Sequence, residues 1–216
     1  GEGLQHEDGH SHILANTIPN CVSYDPTFAH EVAVIMHDGL KRMVERQENV
    51  FYYITLLNEN YAMPGLLPGT EEQIIKGMYL CKPGADGDKR VQLLGSGTIL
   101  RESLEAQTLL AADWGVQADV WSCPSFNELT REGQDADRWN LLHPLETPRV
   151  PFVTRQLGSR SGPVVASTDY MKAYAEQIRP FVPKGRSYRV LGTDGFGRSD
   201  FRSKLREHFE VNRHYI

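Results

Sequence analysis

Residues Val91–Cys123 read VQLLGSGTILRESLEAQTLLAADWGVQADVWSC. The run VQLL is short and apolar and ends in Gly95-Ser96-Gly97, the composition of a buried strand entering a tight turn. Beyond the turn, Leu100, Leu104, Leu110 and Ala111 share the spacing of one helical face, and Gly115 stands where that helix must stop. Ala118–Cys123 is again short and apolar, a second strand. Parallel strands need a connection that crosses back over the sheet, and a helix is the usual one. This stretch therefore points to an α/β fold with a mostly parallel sheet between helices.

Downstream, the same alternation continues. SFNELTREGQDADRWNLLHP predicts one or two short helices, PVVAS (163–167) a buried strand, and DYMKAYAEQIRPFV a helix capped by Asp169. YRVLG (188–192) reads as a strand and SDFRSKLREHF as a final helix. Upstream, Phe28, Val32, Ile35, Met36, Leu40, Met43 and Val44 form one apolar stripe, so 28–46 is a helix, with Asp25-Pro26-Thr27 as its start. VFYYITLL (50–57) is rich in β-branched and aromatic residues, which predicts a buried strand with Tyr52 or Tyr53 in the core. NENYAMPGLLPG (58–69) holds two prolines and two glycines and reads as a linker. A domain boundary inside it divides the chain into 1–66 and 67–216. After the linker, Thr70 and Gln73 suggest a capping box for a helix ending near Gly77, then MYLC is a strand and 83–90 a turn. The region 70–216 is thus expected to carry about five strands.

A net charge of -5 and the lack of a Lys/Arg run argue against a nucleic-acid partner. No apolar run is long enough to span a membrane. Cys21, Cys81 and Cys123 are far apart and odd in number, as expected for free thiols in a reducing compartment such as the cytoplasm. The chain lacks an initiator Met, starts inside a Gly-rich motif and stops as an apolar stretch begins at His214-Tyr215-Ile216, which reads as a piece of a longer protein.

The first twelve residues, GEGLQHEDGHSH, contain His6-Glu7-Asp8-Gly9-His10, an H-E-x-x-H pattern. A zinc hydrolase would need that pattern on a helix, with a third ligand. Gly9 sits between the histidines, and His12 would fall on another face from His10. A loop dense in titratable groups, lining an active site, is the better reading. Gly95-Ser96-Gly97 could hold phosphate at a helix start, but Leu100 stands where the dinucleotide fingerprint needs Gly, so a plain tight turn is favoured. TDGFGRSD (193–200) reads as a salt-bridged loop in which Asp194, Arg198 and Asp200 pair or line a cleft. His143, His208 and His214 are isolated and read as surface or interface residues.

GEGLQHEDGHSH, SYDPTFAHEVAVIMHDGL, YYITLLNENYAMP, LLGSGTILRE, EGQDADRWNLLHPLETPRVP, VASTDYMKAYAEQIRPFVP and YRVLGTDGFGRSDFRSKLREHFEV occur in this order. Together they resemble, over essentially the whole chain, the homodimeric thiamine-diphosphate-dependent first component of the bacterial pyruvate dehydrogenase complex. The resemblance implies the rear part of a pyrimidine-binding thiamin-type domain followed by a transketolase C-terminal-type domain. It implies oxidative decarboxylation of pyruvate and reductive acetylation of the lipoyl group of dihydrolipoyl acetyltransferase, by a homodimer with thiamine diphosphate and Mg2+ in the intact protein. The diphosphate and metal sites would lie upstream, so no cofactor-binding or metal residue is assigned here, and the chain alone is expected to be inactive and to bind no cofactor. His6 matches the family's active-site His and Glu2 the acidic residue beside it. His10 and His12 stay as loop or helix-start residues. A non-catalytic dimerising or docking module of the same complex is the alternative.

Overall fold

The computed structural model describes residues 7–216. Helix α1 (Ser11–Asn16) leads into strand β1 (Cys21–Tyr24), helix α2 (Ala29–Leu40) and strand β2 (Phe51–Ile54). Helix α3 (Glu71–Lys76), β3 (Tyr79–Lys82), β4 (Arg90–Gly95), α4 (Ile99–Trp114) and β5 (Gln117–Ser122) follow. The remainder is α5 (Phe126–Leu142), α6 (Phe152–Gly158), β6 (Val164–Ser167), α7 (Lys172–Glu176), β7 (Tyr188–Leu191) and α8 (Arg202–His208).

Strands β3 to β7 form one sheet in the order β3-β5-β4-β6-β7, parallel except for β3 at its rim. The alternation of side chains along β4 builds two cores. Val91 and Leu93 pack with Ala118 and Val120 of β5 against Leu100 and Ala106 of α4. Leu94 and Trp121 face the other way, toward Phe126 and Leu129 of α5, Val153 of α6 and Tyr174 of α7. A buried polar row crosses between the strands: Trp121 Nε1 donates to Gln92 Oε1 at 2.8 Å, and Gln92 Nε2 to Asp119 Oδ2 at 2.9 Å. Asp119 also accepts from the Gly84 N–H and from Arg90 and Arg160, and the Gly84, Gln92 and arginine hydrogen bonds hold its carboxyl below the usual range against the cost of burial.

A second, two-stranded parallel sheet joins β1 to β2. Val22, Tyr24 and Ile35 pack on Ile74 and Tyr79, so this unit leans directly on the start of the larger one. Tyr52 bears out the expectation of packing, stacking on Tyr24 at 6.1 Å with its hydroxyl on Asp38. The strand itself is shorter and barer than 50–57 implies. Only Phe51–Ile54 pairs, and Phe51 is 44% exposed, because β2 is the outer strand of a two-stranded sheet.

Three caps differ from the sequence expectation. Thr70 makes no capping bond to α3; its hydroxyl donates to the Leu67 carbonyl. The start of α2 is held by Glu31, whose Oε2 accepts from the backbone N–H of Thr27 and Phe28, while Asp25 turns inward. The N–H of Lys172 at the head of α7 donates to Asp194 Oδ1 at 2.9 Å, from a loop far along the chain, and Asp169 does not cap it. The stretch 58–69 has linker composition but is tied down. Glu59 pairs with Arg101 and Arg206 at 2.9 and 3.1 Å, Arg101 lies over the Tyr61 ring, and the Tyr61 hydroxyl reaches the Thr27 carbonyl.

Candidate functional site

The beginning of the described chain runs across the C-terminal ends of the parallel strands, the end of such a sheet where ligand sites ordinarily lie. Asp8 opens the segment. Its carboxylate accepts from the backbone N–H groups of His10 and Ser11 at 3.0 Å and from the Ser11 hydroxyl, so it caps α1, and these hydrogen bonds hold it below the usual carboxylate range against the cost of desolvation. The helix starts only at Ser11, after the H-E-x-x-H pattern, with Gly9 and His10 in a bend. His10 is exposed and His12 fully buried, so the two point to different surroundings. The described part of the pattern, 7–10, is therefore without the helix a zinc-hydrolase alternative needs. Among the described residues no three His, Cys, Asp or Glu side chains converge as a metal site.

His12 is the unforeseen residue. Tyr174 stacks on its ring at 4.8 Å, and Tyr170 and Tyr53 meet it edge-on at 4.6 and 5.5 Å. Its Nε2 lies 3.0 Å from Thr55 Oγ1, and Thr55 donates its hydroxyl to Asp25 Oδ1 at 2.8 Å. Where Thr55 gives that proton to an ionised Asp25, Nε2 is the protonated nitrogen; in either tautomer Nδ1 is buried and unpartnered. Burial holds the imidazole down to about 4, so the ring is neutral.

Asp25, expected only as a helix start, lies at the centre of this site. Its Oδ2 accepts from Ser96 Oγ at 3.0 Å, and Ser96 is also 3.0 Å from Thr168 Oγ1. Burial pushes the Asp25 carboxyl up to about 7, against the lowering effect of the Thr55 and Ser96 hydrogen bonds. The carboxyl rests on the Gly95-Ser96-Gly97 turn. Gly97 donates its N–H to the Asp25 carbonyl at 3.0 Å, and a Cβ on Gly97 would lie 2.4 Å from Asp25 Oδ2. The turn is thus no phosphate cradle. It is a tight turn, as the sequence favoured, and a side chain from the preceding unit fills the place beside it.

Glu31 forms a neighbouring buried centre. Its Oε1 accepts from Tyr79 Oη at 2.7 Å and Ser122 Oγ at 2.6 Å, tying α2 to β3 and β5. His30 completes the chain with Nε2 3.1 Å from Tyr79 Oη. In the loop 193–200, Asp194 pairs with Lys172 at 3.4 Å, while Arg198 and Asp200 line a cleft of about 470 Å³ with Glu7, Lys204 and His208. His143 stacks on Trp139 at 4.4 Å. His6 and Glu2 lie outside the described residues. No helix among the described residues is long and apolar enough to cross a membrane.

Two family models cover most of the chain. Residues 1–64 match the pyruvate dehydrogenase E1 component middle domain, and residues 77–212 match the transketolase-like TK C-terminal domain. The chain is 61% identical over 218 residues to a protein named pyruvate dehydrogenase E1 component from Cupriavidus necator. It is 62% identical over 217 residues to one of the same name from Escherichia coli K12. Each match takes in 100% of this chain and 24% of the relative, so the chain spans about a quarter of their length. Among solved structures, a transketolase from Leishmania mexicana superposes with a TM-score of 0.66 at 16% identity, over 100% of this chain and 27% of that one, a likeness of fold. The order of β3-β5-β4-β6-β7 and the long match over 77–212 lead to one conclusion: the chain belongs to the transketolase-like C-terminal domain family, here preceded by pyruvate dehydrogenase E1 middle-domain sequence.

Proposed function

We propose that this chain is the part of a pyruvate dehydrogenase first component running from the middle domain into the C-terminal domain. The whole protein converts pyruvate and acetylates the lipoyl group of dihydrolipoyl acetyltransferase. The observation that carries the reading is identity of 61–62% along the whole chain to proteins of that name. A chain of two units, 1–66 and 67–216, a homodimeric state and a cytoplasmic setting follow from the same reading, and the two family matches, 1–64 and 77–212, fall on either side of that boundary.

Thiamine diphosphate would supply the electron sink for decarboxylation. The described residues do not fit its metal-bridged diphosphate, for no three His, Cys, Asp or Glu side chains among them converge, and no step is derived through it here. What this chain offers is the segment that carries His6. A His titrates near neutrality and can donate a proton to a developing oxyanion or sulfur, and an adjacent Glu2 would hold its tautomer. Glu7–His12 anchor the end of that segment through the Asp8 cap and the buried His12. His6→Ala in a full-length enzyme carrying this sequence should lower turnover at least about tenfold with the melting temperature nearly unchanged. Wild-type turnover in the folded variant sinks the His6 assignment.

A further inference from the structure

We propose that the C-terminal domain grips the chain just after His6, at Glu7 and Gly9, and that Gly197 is a positioning residue for the reaction. The inference rests on the reading of His6 as the active-site residue. Three contacts carry it, all within three residues of His6. The Met171 N–H donates to the Gly9 carbonyl at 3.0 Å. Gly9 is buried, and a Cβ there would just meet the Thr193 carbonyl oxygen, at 3.7 Å, so the loop after β7 passes within one methyl group's reach of the segment. A Cβ on Gly197 would lie 2.7 Å from the Glu7 Cβ.

The two sides of the grip are one piece. Thr193 N–H donates to the Tyr170 carbonyl at 2.8 Å, and Lys172 N–H to Asp194 Oδ1 at 2.9 Å, so the loop after β7 and the head of α7 are bonded to each other. The near contact at Gly197 is with the root of the Glu7 side chain, which cannot swing away as a carboxylate tip can. Ordinary contact begins at 3.4 Å, so a Cβ at 197 requires Glu7 and the loop to separate by about 0.7 Å, and the share that Glu7 takes moves the chain next to His6. Glu7 follows His6 directly in the chain. A displacement of about 1 Å at a catalytic group can cost on the order of a hundredfold in rate.

The backbone of Gly197 lies outside the left-handed region, so an alanine there is strained by the contact and not by its own conformation. Gly197→Ala in the full-length enzyme should lower kcat at least about tenfold, with KM for pyruvate within about twofold and an unchanged melting temperature. Hydrogen exchange of the amides of residues 7–12 should quicken at least about fivefold. Adding Glu7→Gly, which removes the opposing Cβ, should restore most of the lost kcat. Met171→Pro is the second route. Met171 has φ -57, which proline adopts, and the change both deletes the N–H bonded to Gly9 and sets a ring carbon against the Gly9 carbonyl, so it releases the segment from this side. It should reproduce the exchange and kcat effects. Unchanged exchange in both folded variants overturns the grip, and faster exchange with wild-type kcat overturns the positioning role. Exchange does not depend on catalysis. A wild-type rate for His6→Ala would therefore remove the reading of His6 while the exchange result still decides the grip.

Discussion

Two buried titratable groups, one hydroxyl apart, impose opposite pH dependences on this chain. Asp25 keeps its proton in the fold up to about 7, while the unfolded chain loses it near 3.8. The folded state binds more protons across that window, so this contribution to stability falls as pH rises from about 4 to about 7 and is level above. His12 works the other way. Pushed down to about 4 from 6.5, it stays neutral while the unfolded chain takes up a proton, so stability falls as pH drops through that window. The groups facing Asp25 are Thr55, Ser96, Asp169 and Glu31, and the two carboxylates push it in the same upward direction as burial. Asp25→Asn removes the first slope alone. Urea unfolding of variant and wild type in steps from about pH 4 to pH 7 should show the variant gaining relative stability as pH rises. A constant difference across that range would show that Asp25 titrates normally. Neither residue's role was legible in the sequence. Asp25-Pro26 has the look of a helix start, and His12 stands in a polar, Gly-rich run. The rings that enclose His12 come from Tyr53, Tyr170 and Tyr174, two of them more than 150 positions away.

Among the elements, those of the larger sheet were legible where a period had room to show. β4, α4 and β5 follow the apolar pattern of 91–123, and Gly115 closes α4 as expected. β6 and β7 appear as short apolar runs for the same reason. α1 and β1 were missed because six and four residues are too few to display a period, and β1 is buried on both faces, which erases alternation. Caps supplied by Glu31 and Asp194 were missed because the first acts from inside its own helix and the second from a distant loop. The turn between β4 and α4 is one place where the two units meet closely. Gly97 has φ +49, and a Cβ would strike both carboxyl oxygens of Asp25, at 2.4 and 2.6 Å. Gly97→Ala should cost at least about 2 kcal/mol, from left-handed strain plus the clash. Introducing Asp25→Gly alongside it should recover the clash but not the strain, a coupling of at least about 0.5 kcal/mol in a double-mutant cycle. Strict additivity of the two changes would mean that the turn relaxes away from Asp25 freely.

The molecule as a whole is a large, fully sheeted unit and a smaller one with an open strand. Leu14, Met36, Val44, Phe51 and Leu56 are exposed on the smaller unit, and among the described residues no ligand set for a divalent cation converges. Calorimetric titration of the 216-residue chain with thiamine diphosphate and Mg2+ should therefore give no heat of binding in the micromolar range. Micromolar binding would place part of the cofactor site in this chain and overturn the proposed division of labour. The placement of β3 has a further consequence, in time rather than in space. It is the first strand of its sheet to leave the ribosome, yet it pairs only with β5, in antiparallel register, and β5 begins 35 residues after β3 ends (117 − 82). At translation rates of about 5–20 residues per second, Tyr79–Lys82 waits roughly two to seven seconds with both edges unpaired. Slower translation between positions 83 and 116 lengthens that wait in proportion.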